Sequence, residues 1–166
     1  WGKGVVAKIM FTVPGQPQSK QRHRDLVMKI CAKCHRPTPR KECPRCGKTL
    51  WVDAYSVQYT PKETRNYETS VGTFSGAREP LVVPAGLNVK AYFQIAASRL
   101  FKPGSHAKNK LSEGDLHIQK PDASNVLKSV EDGMNKVVIR DDSLFHELHI
   151  YKRWSTTPRA EVEVVY

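Results

Sequence analysis

Four cysteines within sixteen residues constrain this chain more than any other feature it carries. The segment CAKCHRPTPRKECPRC places Cys31, Cys34, Cys43 and Cys46 in a C-x2-C-x8-C-x2-C pattern. Two such knuckles can each turn a pair of thiolates onto one tetrahedral ion, and zinc takes that donor set. Pro44 inside the second pair and Gly47 after it suit tight turns. Three other readings compete. CAKCH also matches a c-type haem attachment sequence, against which stand the second cysteine pair and the lack of a secretion signal. Two disulfides need an oxidising compartment, to which no export signal points. An iron centre of four thiolates stays open. The expectation is structural Zn2+ held by all four sulfurs, with no place left for catalysis, in an insertion spanning residues 27–53.

That insertion is basic, with Lys29, Lys33, Arg36, Arg40, Lys41, Arg45 and Lys48 around the cysteines. These cations read either as a solvated surface or as an extra grip on a phosphate backbone. The whole chain shares the bias. Its 27 Lys and Arg against 16 Asp and Glu give a net charge of +11, an excess that attracts polyanions, nucleic acid first among them. The length of 166 residues suffices for one domain with its own core. No apolar run reaches the roughly 20 residues a membrane-crossing helix needs, and WGKGVVAKIMF reads as a strand rather than a signal peptide.

Elsewhere the hydrophobic pattern alternates between strand and helix. VVAKIMFTV puts Val5, Ala7, Ile9, Phe11 and Val13 on one face of a half-buried strand. TPKETRNYETSVGTFSG opens with a helix-start signal, Thr60 as cap, Pro61 first and Glu63 closing a capping box, and ends near Gly72 or Gly76. LNVKAYFQIA alternates again. SRLFKPGSHAKNKLSEGD is a polar loop in which Lys102, Lys108 and Lys110 are placed to close over a ligand or simply to be solvated. LFHELHIYKRW and AEVEVVY read as two strands joined by a turn at STTPR. The expected class is α+β, a small mixed sheet with two main helices.

The stretch KPDASNVLKSVEDGMNKVVIRDD, residues 120–142, raises the question of chemistry. As a helix over residues 124–135 it puts Val126, Leu127, Val130 and Met134 on a core side, with Asn125, Lys128, Ser129 and Asp132 opposite. Pro121 keeps Lys120 extended, so Asp122 sits where an extended segment meets a helix start. The strand-like run KVVI can return Asp141 or Asp142 to the same cleft. Carboxylates gathered so repel unless a cation lies between them, and Mg2+ or Mn2+ suits oxygen donors. Lys128 is placed to add positive charge. The competing reading makes PDASN a helix cap and RDDS a turn.

These residues resemble the RusA-like endodeoxyribonucleases, which resolve Holliday junctions. The resemblance rests on Lys120, Pro121, Asp122, Asn125, Val126, Leu127, Lys128 and Asp132, then the pair Asp141 and Asp142, with VPGQPQSKQRHR and YTPKETRNYE similar to the family's opening and early helix. It implies a homodimer that cuts four-way branched DNA, with Mg2+ or Mn2+ held by Asp122 and Asp142, Lys128 as the catalytic lysine, and Asp141 and Asp132 in support. It favours phosphate contacts from Lys20, Arg22 and Arg24 in the basic loop over a solvated face; Lys62 and Arg65 at the early helix, which read more commonly as exposed helix charges, and Lys120 are further candidates. Trp51, Trp154 and Phe74 are candidates for stacking on unpaired bases, Phe74 foremost. A cytoplasmic protein, bacterial or phage-encoded, is the corresponding expectation. One position departs: Ser124 stands where the family's second metal-binding aspartate is expected. A hydroxyl there removes a negative charge from the site. Either the substitution inactivates a nuclease or another residue supplies the ligand, and a non-catalytic zinc-ribbon protein that binds junctions is the rival reading.

Overall fold

The computed structural model describes residues 7–103 and 110–166, so Val5 and Lys108 lie outside the described residues. Seven strands and two helices occur in the order β1 (Lys8–Pro14), β2 (Arg24–Cys31), β3 (Pro37–Thr38), β4 (Trp51–Tyr59), α1 (Lys62–Ser75), β5 (Ala85–Gln94), α2 (Ala123–Met134), a 3-10 turn (Asp142–Leu144), β6 (Phe145–Ser155) and β7 (Arg159–Val165). The α+β class with two helices is what the sequence pattern predicts. Contacts divide the chain into two compact units, Trp1–Lys20 with Glu63–Tyr166, and Gln21–Lys62.

The larger unit is built on a four-stranded sheet in the order β1-β7-β5-β6. β7 runs antiparallel to both β1 and β5, while β6 runs parallel to β5. The alternation read in the sequence is the burial observed. Phe11 and Val13 of β1, Leu87 and Val89 of β5, and Val162 and Val164 of β7 point to one face. There they meet Tyr67 and Val71 of α1 and Val130 and Met134 of α2 in a single apolar cluster. The two strands flanking STTPR are not hydrogen-bonded to each other. After Ser155 the chain crosses the end of β5 and returns on its other side as β7.

The helices cross on glycine. A Cβ on Gly133 would lie 2.7 Å from the Glu68 carbonyl oxygen and 2.7 Å from Val71 Cβ, and one on Gly72 would lie 3.1 Å from the Gly133 oxygen. Gly72 therefore lies inside α1, and the helix runs on to Ser75, followed by Gly76 in the left-handed region at φ 62°. Its start differs from the expected capping box. α1 begins at Lys62, and Thr60 Oγ1 lies 3.3 Å from His23 Nδ1.

Two local expectations are corrected. Ser129 is not on an exposed side: it is fully buried and donates to the carbonyls of Gln18 (2.6 Å) and Val126 (2.8 Å). Its hydroxyl is satisfied by tying the segment before Lys20 onto α2. The run KVVI is a turn with isolated bridges from Ile139 to Leu81 and Asn135, because Lys136 takes a left-handed backbone at φ 64°.

The smaller unit is a three-stranded ribbon in the order β3-β2-β4. Its strands reach beyond residues 27–53 on both sides. No helix among the described residues is long and apolar enough to cross a membrane.

Candidate functional site

α2 starts immediately after Asp122, whose backbone is extended (φ −67°, ψ 146°) and whose carbonyl accepts from Val126 N at 3.1 Å. An aspartate in this position ordinarily turns its carboxylate onto the free amides of the first turn. Asp122 makes no such bond, and its side chain is exposed. Asp141 does behave that way, accepting from Ser143 N at 3.0 Å, and the Ser143 hydroxyl and amide together hold its carboxyl below the usual carboxylate range. The cap-or-turn reading thus accounts for Asp141 and leaves Asp122 unexplained.

The segment leading into Asp122 is held from β6. Lys152 donates its ammonium protons to the carbonyls of Gln119 (2.6 Å) and Pro121, across a cis Lys120–Pro121 peptide bond. Burial lowers the Lys152 pKa, and the charge of Asp122 works against that lowering.

Beyond Asp122, charges of alternating sign form a chain. Lys20 Nζ lies 2.6 Å from Glu68 Oε1 and 2.7 Å from Asp132 Oδ2. The other oxygen of Asp132 lies 3.4 Å from Lys128 Nζ, which also reaches Asp142 Oδ2 at 2.8 Å and Glu131 Oε2 at 3.9 Å. Helical spacing sets part of this, since Glu131 and Asp132 stand three and four residues after Lys128. The remainder joins α1, the segment after β1, and the 3-10 turn. Burial works against the charge of Lys20, but Asp132 and Glu68 outweigh it and its pKa is raised. The hydrogen bond with Asp142 raises Lys128 over a smaller opposing effect of burial. Both lysines therefore stay cationic at neutral pH.

Glu131 is different. Burial raises its pKa, Lys128 lowers it, and Asp142 and Asp132 raise it again. A raised carboxyl binds its proton more readily in the folded state. Its favourable contribution is therefore present below the ordinary carboxylate range and is lost as pH rises through the folded value. Glu131→Gln is expected to be more stable than the parent at pH 7, with the advantage shrinking as pH falls into the carboxylate range. Urea denaturation at both pH values measures this; a less stable variant at pH 7 would mean the Lys128 pairing outweighs burial.

The other sequence-predicted residues fall as follows. Ser124 is exposed on the first turn of α2 and makes no hydrogen bond among the described residues. Lys120 and Arg65 are exposed. Arg22, Arg24 and Lys62 belong to the Gln21–Lys62 unit, where Arg24 donates to Gln21 Oε1 at 3.4 Å. Lys20 belongs to the larger unit, where it pairs with Glu68 and Asp132. Trp154 is core, 8% exposed and 4.2 Å from the His117 ring, whereas Phe74 at the end of α1 is 49% exposed. Trp51 is half-buried beneath Lys29. Sequence reading missed Glu68, Glu131 and Lys152. Only Glu131 carried a local signal, its three-residue offset from Lys128.

The four cysteines form a separate site within the ribbon. Their sulfurs lie within 4.8 Å of one another, and Cys31 and Cys46 are 3.6 Å apart, far from disulfide length. Zn–S bonds of about 2.3 Å in a tetrahedron set sulfurs about 3.8 Å apart, so the donor set fits. The two knuckles repeat each other. Cys31 N bonds to Arg36 O and His35 N to Cys31 O; Cys43 N bonds to Lys48 O and Gly47 N to Cys43 O. The fifth residue of each, His35 (φ 49°) and Gly47 (φ 66°), is left-handed. Backbone amides of Arg45 and Cys46 bring Cys43 down to about 7. Cys34 is pushed up to about 12 by Cys46, burial and Cys43. A cation among the sulfurs relieves that mutual repulsion. Among the described residues these cysteines make up the group able to hold a metal on three or more such side chains.

A basic α+β domain with carboxylates organised around a lysine at a helix start belongs to the class of proteins equipped to handle nucleic-acid phosphates. The family model of endodeoxyribonuclease RusA matches residues 14–165, and the chain belongs to that family. It is also similar to the uncharacterized protein YqaN of Bacillus subtilis (strain 168), 27% identical over 160 residues that cover 94% of each chain.

Proposed function

We propose that this endodeoxyribonuclease-family chain resolves four-way (Holliday) DNA junctions by paired, symmetric phosphodiester cleavage, acting as a homodimer. The observation that carries the reading is Asp122, a carboxylate at a helix start that caps nothing and stays exposed. Asp142, paired with Lys128, is its partner in the proposal. A two-fold protein presents one site to each of two strands, which symmetric resolution requires.

The donors are hard oxygens, and Mg2+ or Mn2+ binds through one or two carboxylates while keeping its waters. Asp122 and Asp142 would hold the ion, with Asp141 and Ser124 beside them. Bound there, it would supply a water of lowered pKa and neutralise charge on phosphate oxygens. Lys128 stays charged and offers its ammonium to a developing phosphorane. Lys20 and Glu68 hold Asp132, and Asp132 together with Asp142 holds Lys128. In the ribbon, Cys31, Cys34, Cys43 and Cys46 hold Zn2+ as structure. Phosphate contacts fall to Arg22, Arg24, Lys62, Arg65 and Lys120, with Lys20 serving the ion-pair chain.

Ser124 supports a second reading, a protein that binds junctions without cutting them. Ser124→Asp decides between the two. Assayed beside the parent on a labelled four-way junction with Mg2+ or Mn2+, Ser124→Asp is expected to make paired symmetric cuts on the order of 10²-fold faster. If neither cuts but both prefer the junction to duplex of equal length, the binding reading stands and the catalytic roles fall.

A further inference from the structure

The ribbon unit holds a disproportionate share of the molecule's charge. Between Gln21 and Lys62 stand ten lysines and arginines against three carboxylates, a net +7 out of the chain's +11 in about a quarter of its length. In the larger unit Lys8, Lys20, Lys128 and Arg159 are paired with carboxylates, while among the described residues Arg78, Lys90 and Lys120 have no ion pair. In the ribbon Lys33, Arg36, Arg40, Lys41, Arg45 and Lys48 are exposed, and among the described residues none of their side chains has an ion pair or hydrogen bond. Six like charges crowded around one metal site repel each other. Four thiolates on Zn2+ carry a net −2, and with that centre counted the unit still keeps a net charge of about +5, an excess that points to a polyanionic ligand.

Their placement is ordered by the repeated knuckle. Lys33 and Arg45 occupy the third position of the two knuckles, Arg36 and Lys48 the sixth. The matching backbone bonds put the members of each pair in equivalent local frames, one in each knuckle. Two open concavities flank the second knuckle at Cys43 and Pro44. One is lined by Arg40 and Lys41 together with Glu42, the other by Arg36 and Arg45. Cations presented in duplicate by a repeated frame suit a polyanion of many phosphates better than a single small anion.

We infer that the Gln21–Lys62 ribbon is a second DNA-binding element, gripping duplex phosphates through Lys33, Arg36, Arg45 and Lys48 without reading sequence. This rests on the reading that the chain acts on DNA, but not on its being able to cut. The test is the full-length chain with Lys33→Gln, Arg36→Gln, Arg45→Gln and Lys48→Gln combined, against a control neutralising Lys8, Arg78, Lys90 and Lys136. Binding to a labelled 30-base-pair duplex and to a four-way junction is measured by fluorescence anisotropy across a salt series, with bound zinc quantified in each protein. The ribbon variant is expected to lose about tenfold or more in affinity for both DNAs. Its slope of log affinity against log salt should shrink by about 3, where the control shrinks by less than 1. Equal slopes in the ribbon variant and the control overturn the inference. Should the fourfold variant lose zinc, Lys33→Gln with Arg45→Gln replaces it, with about half the slope change expected. Failure of Ser124→Asp to cut leaves these outcomes unaffected, so the two readings fail separately.

Discussion

Removing the metal from the four-cysteine site is expected to unfold the Gln21–Lys62 unit. Strands β2 and β4 are exposed or half-exposed along almost their whole length. Leu26, Val27, Val52, Tyr55 and Val57 all face solvent to a large degree. The buried residues between Arg24 and Tyr59 are Cys31, Thr38 and Cys43, and two of those three are proposed zinc ligands. Such a unit has no apolar core to set against the entropy of ordering its chain. Its stability then comes from metal binding, for which structural zinc sites show apparent values of about 10–16 kcal/mol at neutral pH. A strong chelator, or Cys43→Ser, should abolish amide-exchange protection in β2 and β4 while the sheet of β1, β5, β6 and β7 keeps its own. Because thiols must lose protons to bind, acidification should produce the same loss. Persistent protection of β2 and β4 with the metal verifiably gone would show that side-chain packing holds the ribbon. The colour of the isolated protein separates zinc from an iron-thiolate centre.

Gly133→Ala should be the most damaging single-methyl change in the larger unit. Alanine is the better helix former by about 1 kcal/mol, but the added carbon meets the Glu68 carbonyl oxygen and Val71 Cβ at 2.7 Å and Glu68 Cα at 3.0 Å. Two of those three atoms are backbone, so no rotamer change relieves the overlap and α1 must shift bodily. Overpacking of this kind costs typically 1–3 kcal/mol, occasionally more, and with a backbone obstacle a net loss of about 3 kcal/mol is expected by urea denaturation. Gly72→Ala should cost less, because its nearest neighbour is 3.1 Å away. The reverse order of the two variants, or no loss in either, would contradict the helix crossing. The change should also disturb the site, since Glu68 on α1 holds Lys20, and Lys20 holds Asp132.

Much of the fold was legible from period alone. β1, β5 and β7 alternate because one face of each packs against helices, and that periodicity is local in sequence. So is the buried side of α2, where Val126, Val130 and Met134 are spaced for one face. A motif gathers Asp122, Lys128 and Asp142 within 21 residues, and of these the structure pairs Lys128 with Asp142. What escaped lies between distant segments. Ser129 looked solvent-facing on a helical wheel, and only the chain at Gln18 packing over it makes it buried. Lys152 gave no signal, because its carbonyl partners are about 30 residues away. The pairing of Lys20 with Glu68, 48 residues on, gave no local signal either. Strand order was equally hidden, since a tight connection such as STTPR normally implies a hairpin, and β5 between the two strands defeats that inference.

That placement of β5 sets when the molecule can fold. Both strands that flank β5 come from residues 145–165, and one of them is also the partner of β1. A ribosome that has delivered everything through α2 has made β1 and β5 without either being able to pair. The nascent domain must hold these apolar strands without a sheet until residues 145–165 follow, when β6 can pair with β5 and β7 can then join β5 to β1. Sheet closure is therefore non-local in character, which favours slow folding and a long window of exposure to chaperones.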